Sequence, residues 1–145
     1  EKKMEKEKKK FRILRQYIKD LSFENKLAID HKASKVKPEP NFKLDIKTAS
    51  LGNSIYEVSL VCNVDAKIEN ETVYIIELIY CGICSVSSDS EIELKNFLYS
   101  KVPAFIYPYA RRIISSLTMD SNFPTINIGP IYFEEIKSED IDIDQ

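Results

Sequence analysis

The chain has 145 residues, 43% of them hydrophobic and 30% charged, with a net charge of −2. That size and apolar content suit one globular domain and exclude a disordered chain, and so small a net charge argues against a nucleic-acid or membrane-surface partner for the whole molecule. No run approaches the roughly 20 apolar residues of a membrane helix, and no apolar stretch follows the charges at the amino end, so the sequence predicts a cytoplasmic protein without direct membrane insertion.

In chain order, residues 1–10 (EKKMEKEKKK) carry six lysines against three glutamates. With no arginine and no aromatic residue to stack on a base, this arm reads as solvated and disordered rather than as an RNA- or lipid-binding element. Apolar and basic residues mix from Phe11 to Lys19, the first predicted strand. Lys35-Val36-Lys37-Pro38-Glu39-Pro40 reads as an extended crossing loop, because proline restricts both itself and the residue before it. Phe42, Leu44, Ile46 and Thr48 alternate with Lys43, Asp45 and Lys47, predicting a strand that turns at Leu51-Gly52-Asn53-Ser54.

The period-two signal is clearest from Tyr56 to Ile68. Tyr56, Val58, Leu60, Cys62, Val64, Ala66 and Ile68 fall on one face, while Glu57, Ser59, Asn63, Asp65 and Lys67 fall on the other. After the polar break Glu69-Asn70-Glu71, the β-branched and aromatic run Thr72 to Val86 completes a long antiparallel hairpin. This strand is apolar on both faces, with Glu77 alone in the row of Val73, Ile75, Ile79 and Ile83. One domain of this size does not readily cover both faces of a sheet, so the pattern calls for a partner, a client or self-association.

Cys81-Gly82-Ile83-Cys84 has the spacing of a redox pair or half a zinc site. Residues three apart on a strand point to opposite faces and lie about 10 Å apart, so the thiols do not converge unless Gly82 carries a bulge. His31, the only histidine, falls in a loop with no partner ligands, and the cysteines read as small apolar strand residues. Three cysteines without a signal peptide fit reduced thiols.

The second half reads as helical. Ile92, Leu94, Phe97, Leu98 and Val102 predict a short amphipathic helix that Pro103 and Pro108 break or kink, and Pro108 opens a further helix from Tyr109 to Met119. Arg111 and Arg112 on it read as solvent-facing. Asn122 to Pro130 reads as an extended connector, followed by a short last helix from Pro130 to about Ile136 and an acidic flexible tail over residues 137–145. No nucleophile with a base, no glycine-rich phosphate loop and no metal-ligand cluster is present in the sequence. Glu134-Glu135 are adjacent acids that diverge on a helix. The expectation is a binding protein, not an enzyme, with neither cofactor nor metal.

The segments KDLSFEN, KLDIKTAS, IYEVSL, YIIELIYCGI, FIYPYARRIISSL and FPTINIGPIYF resemble the bacterial SecB export chaperones, over roughly positions 11 to 136. The resemblance implies an α+β subunit with a four-stranded antiparallel sheet and two helices, assembled as a homotetramer that is a dimer of dimers. It further implies ATP-independent holding of unfolded precursor proteins and their delivery to the motor SecA; a SecB-like chaperone of a toxin-antitoxin system would share the fold. Matching positions place SecA docking at Asp20, Glu24, Ile75 and Glu77. Leu27, Phe42, Leu44, Ile128, Ile131 and Phe133 are the candidates for the client groove, and the strand edge with the helix near Val102 to Leu117 for subunit association. Any zinc at the docking site belongs to SecA.

Overall fold

A computed structural model describes residues 11–27 and 37–135. The lysine-rich arm, His31, the first residues of the crossing loop and the acidic tail lie outside the described residues.

Four strands, β1 (Phe11–Asn25), β2 (Glu39–Gly52), β3 (Ile55–Ile68) and β4 (Glu71–Val86), form one antiparallel sheet in the order β1-β4-β3-β2. The turn between β3 and β4 holds Glu69 and Asn70 at φ of 50° and 66°, the left-handed geometry of a two-residue hairpin whose twist matches its strands. The alternation of β3 is realised: Val58, Leu60, Cys62, Val64 and Ala66 are all buried on one face. β1 runs six residues beyond its predicted end at Lys19, to Asn25.

The helical half corrects the sequence reading. Helix α1 (Glu91–Asn96), a π-turn (Phe97–Lys101) and helix α2 (Val102–Asp120) follow one another without a break, so a single helical run replaces the two predicted pieces. Ser90 caps it by accepting the Glu93 N–H at 3.1 Å, and Glu91 adds a favourable charge to the first turn. Neither proline stops it. Pro103 has no N–H to donate, and it sits where the ladder has already slipped to five-residue spacing, with the Val102 N–H donating to the Phe97 carbonyl. Pro108 lies inside α2 on its exposed side, and Ala104, whose carbonyl it leaves unpaired in the ladder, is exposed to water. The predicted last helix is only a 3-10 turn, Phe133–Glu135, so the second helix of the expected fold class is absent among the described residues.

The run lies across β4, β3 and β1, burying Val102, Ile106, Ala110, Ile114 and Thr118 at four-residue spacing. At Gly82 the approach is close: a Cβ there would stand 3.1 Å from Ile106 Cγ2. Tyr74 joins Phe23 and Phe123 in an aromatic cluster at the end of the sheet where the helix finishes. Arg111, expected in solvent, lies over the Tyr107 ring at 5.7 Å, while Arg112 is exposed. The other sheet face carries no element among the described residues.

Candidate functional site

The register of β1, β4 and β3 assigns the open face across these three strands, and β2 borders it with Asn41, Lys43, Asp45 and Lys47 opposite Asp65, Asn63, Val61 and Ser59. On β4 the row is Ile75, Glu77, Ile79, Cys81 and Ile83. Across β1 these meet Glu24, Ser22, Asp20, Tyr17 and Arg15; across β3 they meet Asp65, Asn63, Val61, Ser59 and Glu57. Asp20, Glu24, Ile75 and Glu77 are thus brought together on one face, Glu24 directly opposite Ile75 and Ser22 opposite Glu77.

With strands about 4.8 Å apart and a two-residue repeat of about 6.8 Å, the nine positions from Ile75 to Ile79 and their neighbours span roughly 10 by 14 Å. Asp20, Glu24 and Glu77 are exposed; Ile75, Ile79, Val61 and Asp65 are half-buried. These nine positions are therefore acidic around a small apolar floor, with exposed Lys43 of β2 at their border opposite Asn63. Asp65, placed on this face by the alternation of β3, was not among the dock candidates. Its carboxylate accepts the Thr72 hydroxyl at 2.9 Å. Arg12 and Arg15, opposite Ser85 and Ile83, make the far end of the same face basic.

Between the two ends lies a polar bridge that the sequence reading missed. β1 has register shifts between Ile13 and Arg15 and between Ile18 and Asp20. Each adds one residue and reverses the alternation, so Tyr17 and Lys19 reach the open face. Glu57 receives both: its Oε2 accepts the Tyr17 hydroxyl, and its Oε1 pairs with Lys19 Nζ at 2.8 Å. Lys19 first, then Tyr17, holds the Glu57 carboxyl below its ordinary range, and burial raises the Tyr17 phenol. A carboxylate whose pKa is depressed by folding contributes its stability above the unfolded value and loses it as pH falls through the folded one. The Glu57 links thus persist through neutral pH and dissolve only in acid.

Cys81 lies beneath this bridge, fully buried, 3.2 Å from the Ser59 hydroxyl, whereas Cys84 belongs to the core on the helix side. The two thiols face opposite ways, as strand geometry requires, and all three cysteines are free. Burial raises each, Cys62 to about 12 and Cys84 to about 11, so they remain protonated at neutral pH. Ellman's reagent should leave the native protein unmodified over minutes and titrate all three thiols in denaturant. Immediate reaction of two thiols in the native state would restore the redox-pair reading.

The client candidates lie on the helix side. Phe42 and Leu44, half-buried, stand on β2 opposite Val64 and Cys62. Leu27, half-buried just past β1, donates its N–H to Asn25 Oδ1 at 3.0 Å. The connector after α2 is tied back along the helix: Ser115 Oγ donates to the Ile126 carbonyl at 3.0 Å, and the Tyr107 hydroxyl to that of Gly129 at 2.9 Å. That course buries Ile128 and Phe133, the latter edge-on to Tyr107, while Ile131 stays half-buried. Of the six, Leu27, Phe42, Leu44 and Ile131 retain surface. Leu27 follows β1 and Phe42 and Leu44 lie on β2, the two outer strands of the sheet, while Ile131 belongs to the connector beyond α2. No described helix is long and apolar enough to cross a membrane.

Comparison with known proteins places these surfaces in context. A family model described as preprotein translocase subunit SecB matches residues 4–142. The protein-export protein SecB of Haemophilus ducreyi is 38% identical over 128 residues, 86% of this chain and 73% of its own. That of Zymomonas mobilis is 36% identical over 121 residues, 83% and 74% of the two chains. Among solved structures, a SecB-like chaperone of Mycobacterium tuberculosis in complex with a peptide from the HigA1 antitoxin superposes with a TM-score of 0.71. It covers 88% of this chain and 95% of its own at 13% identity, a likeness of fold.

Proposed function

The chain belongs to the SecB family, and from that footing we propose that it is an ATP-independent cytoplasmic chaperone that holds unfolded secretory precursors and hands them to SecA. The observation that carries this reading is the family match across nearly the whole chain, with export proteins as relatives at more than a third identity. The physical character of the subunit supports it. A protein that binds many unfolded sequences loosely needs generic apolar burial rather than a shaped pocket.

The subunits associate, on this reading, as a homotetramer through the β1 edge and the exposed side of α2. Leu14, Ile18 and Leu21 lie along β1, an edge strand with unpaired backbone groups, and Phe105 and Tyr109 are exposed on the helix. Apolar side chains along an open strand edge favour association over a monomer in water.

Clients lie along the strip marked by Leu27, Phe42, Leu44 and Ile131, gaining roughly 25 cal/mol per Å² buried, weak at each position and firm over a long segment. Leu27→Ser and Ile131→Ser should each weaken binding of an unfolded precursor several-fold, while light scattering still reads a tetramer. Parent-like affinity in both variants would reject the strip. A monomer in the parent at micromolar concentration would reject the assembly.

A further inference from the structure

We propose that Glu57 is a positioning residue for the acidic face: by claiming Lys19 it prevents the nearest cation from neutralising Asp20, and so keeps the dock fit for a basic partner. The proposal rests on the reading of that face as the SecA dock.

The geometry makes the competition explicit. The second β1 bulge sets two residues, Lys19 and Asp20, against one on β4, Ile79. The pairing of Asp20 with Ile79 and the contact of Lys19 with Glu57 put both side chains on the open face, an ammonium beside a carboxylate. Left to itself the flexible lysine stem has Asp20 as a neighbour, and the pair would cancel one of the four acids of the patch. Instead Lys19 turns the other way, across β4 to β3, and pairs with Glu57.

Three features make Glu57 the stronger claimant. Its side chain is only 17% exposed, so water screens the pair less than it would at exposed Asp20. Its second oxygen is fixed by the Tyr17 hydroxyl, which holds the carboxylate in place before the lysine arrives. The groups around it, the Ser59 hydroxyl and the Cys81 thiol, are neutral and offer Lys19 no other anion. The two bulges are what bring Tyr17 and Lys19 to this face at all, and past the second of them Asp20, Ser22 and Glu24 continue it. The irregular stretch of β1 thereby separates an internally balanced Lys19–Glu57 pair from the group of Asp20, Glu24, Glu77 and Asp65, in which Lys26 reaches only Glu24, at 4.0 Å.

The test compares the full chain with Glu57→Gln, Lys19→Gln, the double variant and Glu77→Lys, measuring SecA affinity by calorimetry across a salt series. Tetramer mass and client binding serve as controls of folding. Freed from Glu57, Lys19 should turn to Asp20, so Glu57→Gln should weaken SecA roughly three- to tenfold at low salt and flatten the salt dependence. Lys19→Gln should bind at least as tightly as the parent, and the double variant should return to within about twofold of it. That recovery separates charge competition from loss of structure, since removing a second partner of a purely structural bridge would not repair it. Parent-like binding in Glu57→Gln, or a double variant as weak as Glu57→Gln, overturns the proposal while leaving the dock intact. If Glu77→Lys also binds like the parent, the acidic dock itself falls, and this proposal with it.

Discussion

Glu77→Lys is expected to reduce SecA binding by well over tenfold at low salt, to the limit of detection, without dissociating the tetramer or releasing clients. Glu77 is at the centre of the acidic patch, with Ile75 and Ile79 along its own strand and Ser22 and Asn63 across from it. It is exposed and has no ion-pair partner among the described residues. A lysine there removes one attraction to a basic segment and adds a repulsion against it, while its neighbours Asp20 and Glu24 turn toward the new cation rather than the partner. Single exposed pairs are weak, but reversal at the middle of a cluster acts on every charge of the partner within about 10 Å, the screening distance at 0.1 M salt. The position is at the surface, away from the helix side, so the core has no part in the loss. Surface plasmon resonance against SecA at low and high salt checks it. Binding within twofold of the parent at low salt would reject the acidic dock.

Ile106→Ala should destabilise the subunit by about 2–5 kcal/mol, the cost of emptying a packed site that relaxes only in part. Ile106 is fully buried, is the second of the five residues in the buried stripe of α2, and its Cγ2 stands closest to where a Cβ on Gly82 would be. The absence of a side chain at Gly82 lets the helix descend onto β4 there, so this isoleucine fills space that no other group reaches. Gly82→Ala should cost stability in the parent, because a methyl at 3.1 Å forces a shift. In the Ile106→Ala background the same methyl occupies vacated volume, and its cost should shrink or reverse, a coupling readable in a double-mutant cycle. Urea titration at fixed protein concentration measures both, since unfolding of the proposed tetramer would depend on concentration. Ile92→Ala, at an exposed site, is the control and should leave the midpoint in place. A loss below about 1 kcal/mol for Ile106→Ala would mean that the helix is not held to the sheet where the structure puts it.

The β3–β4 hairpin was legible because period two is a geometric consequence of an extended chain, and between Tyr56 and Val86 only the turn at Glu69-Asn70 and one register shift, between Ala66 and Lys67, interrupt it. Glu77 could therefore be assigned a face, and Cys81 and Cys84 opposite faces, before any coordinates. β1 was less legible, although its sequence carries the cue: from Ile13 to Ile18 and from Ile18 to Leu21 the apolar spacing is odd, which an unbroken strand cannot satisfy on one face. Glu57 was read correctly as outward, but its partners lie 38 and 40 residues away and arrive only through those bulges. The proline positions misled for a different reason. Pro103 and Pro108 are penalised as helix breakers on local grounds, and the π-turn and the water-exposed Ala104 that accommodate them are set by the sheet beneath. Of the last helix, predicted from Pro130 to about Ile136, the described residues hold only the Phe133–Glu135 turn; the connector before it is tied to α2 by Ser115 and Tyr107, links that no local propensity encodes.

The π-turn has a bearing on which changes of length the subunit tolerates. Phe97–Lys101 accommodates a surplus residue between two stretches of ordinary helix, and side chains pack against the core on each side of it and within it: Leu94 before, Phe97 and Leu98 within, Val102 and Ile106 after. Deleting one residue within the turn would restore regular spacing and leave the composition almost untouched, yet it would rotate everything upstream by about 100° relative to everything downstream. Leu94 would swing off the sheet, and Ser90 would carry the start of the helix away from the end of β4. A deletion paired with a compensating insertion a turn later keeps both halves in phase, whereas either alone sets them against each other. The helix is thus a vernier with two scales, and the five residues from Phe97 to Lys101 fix their offset.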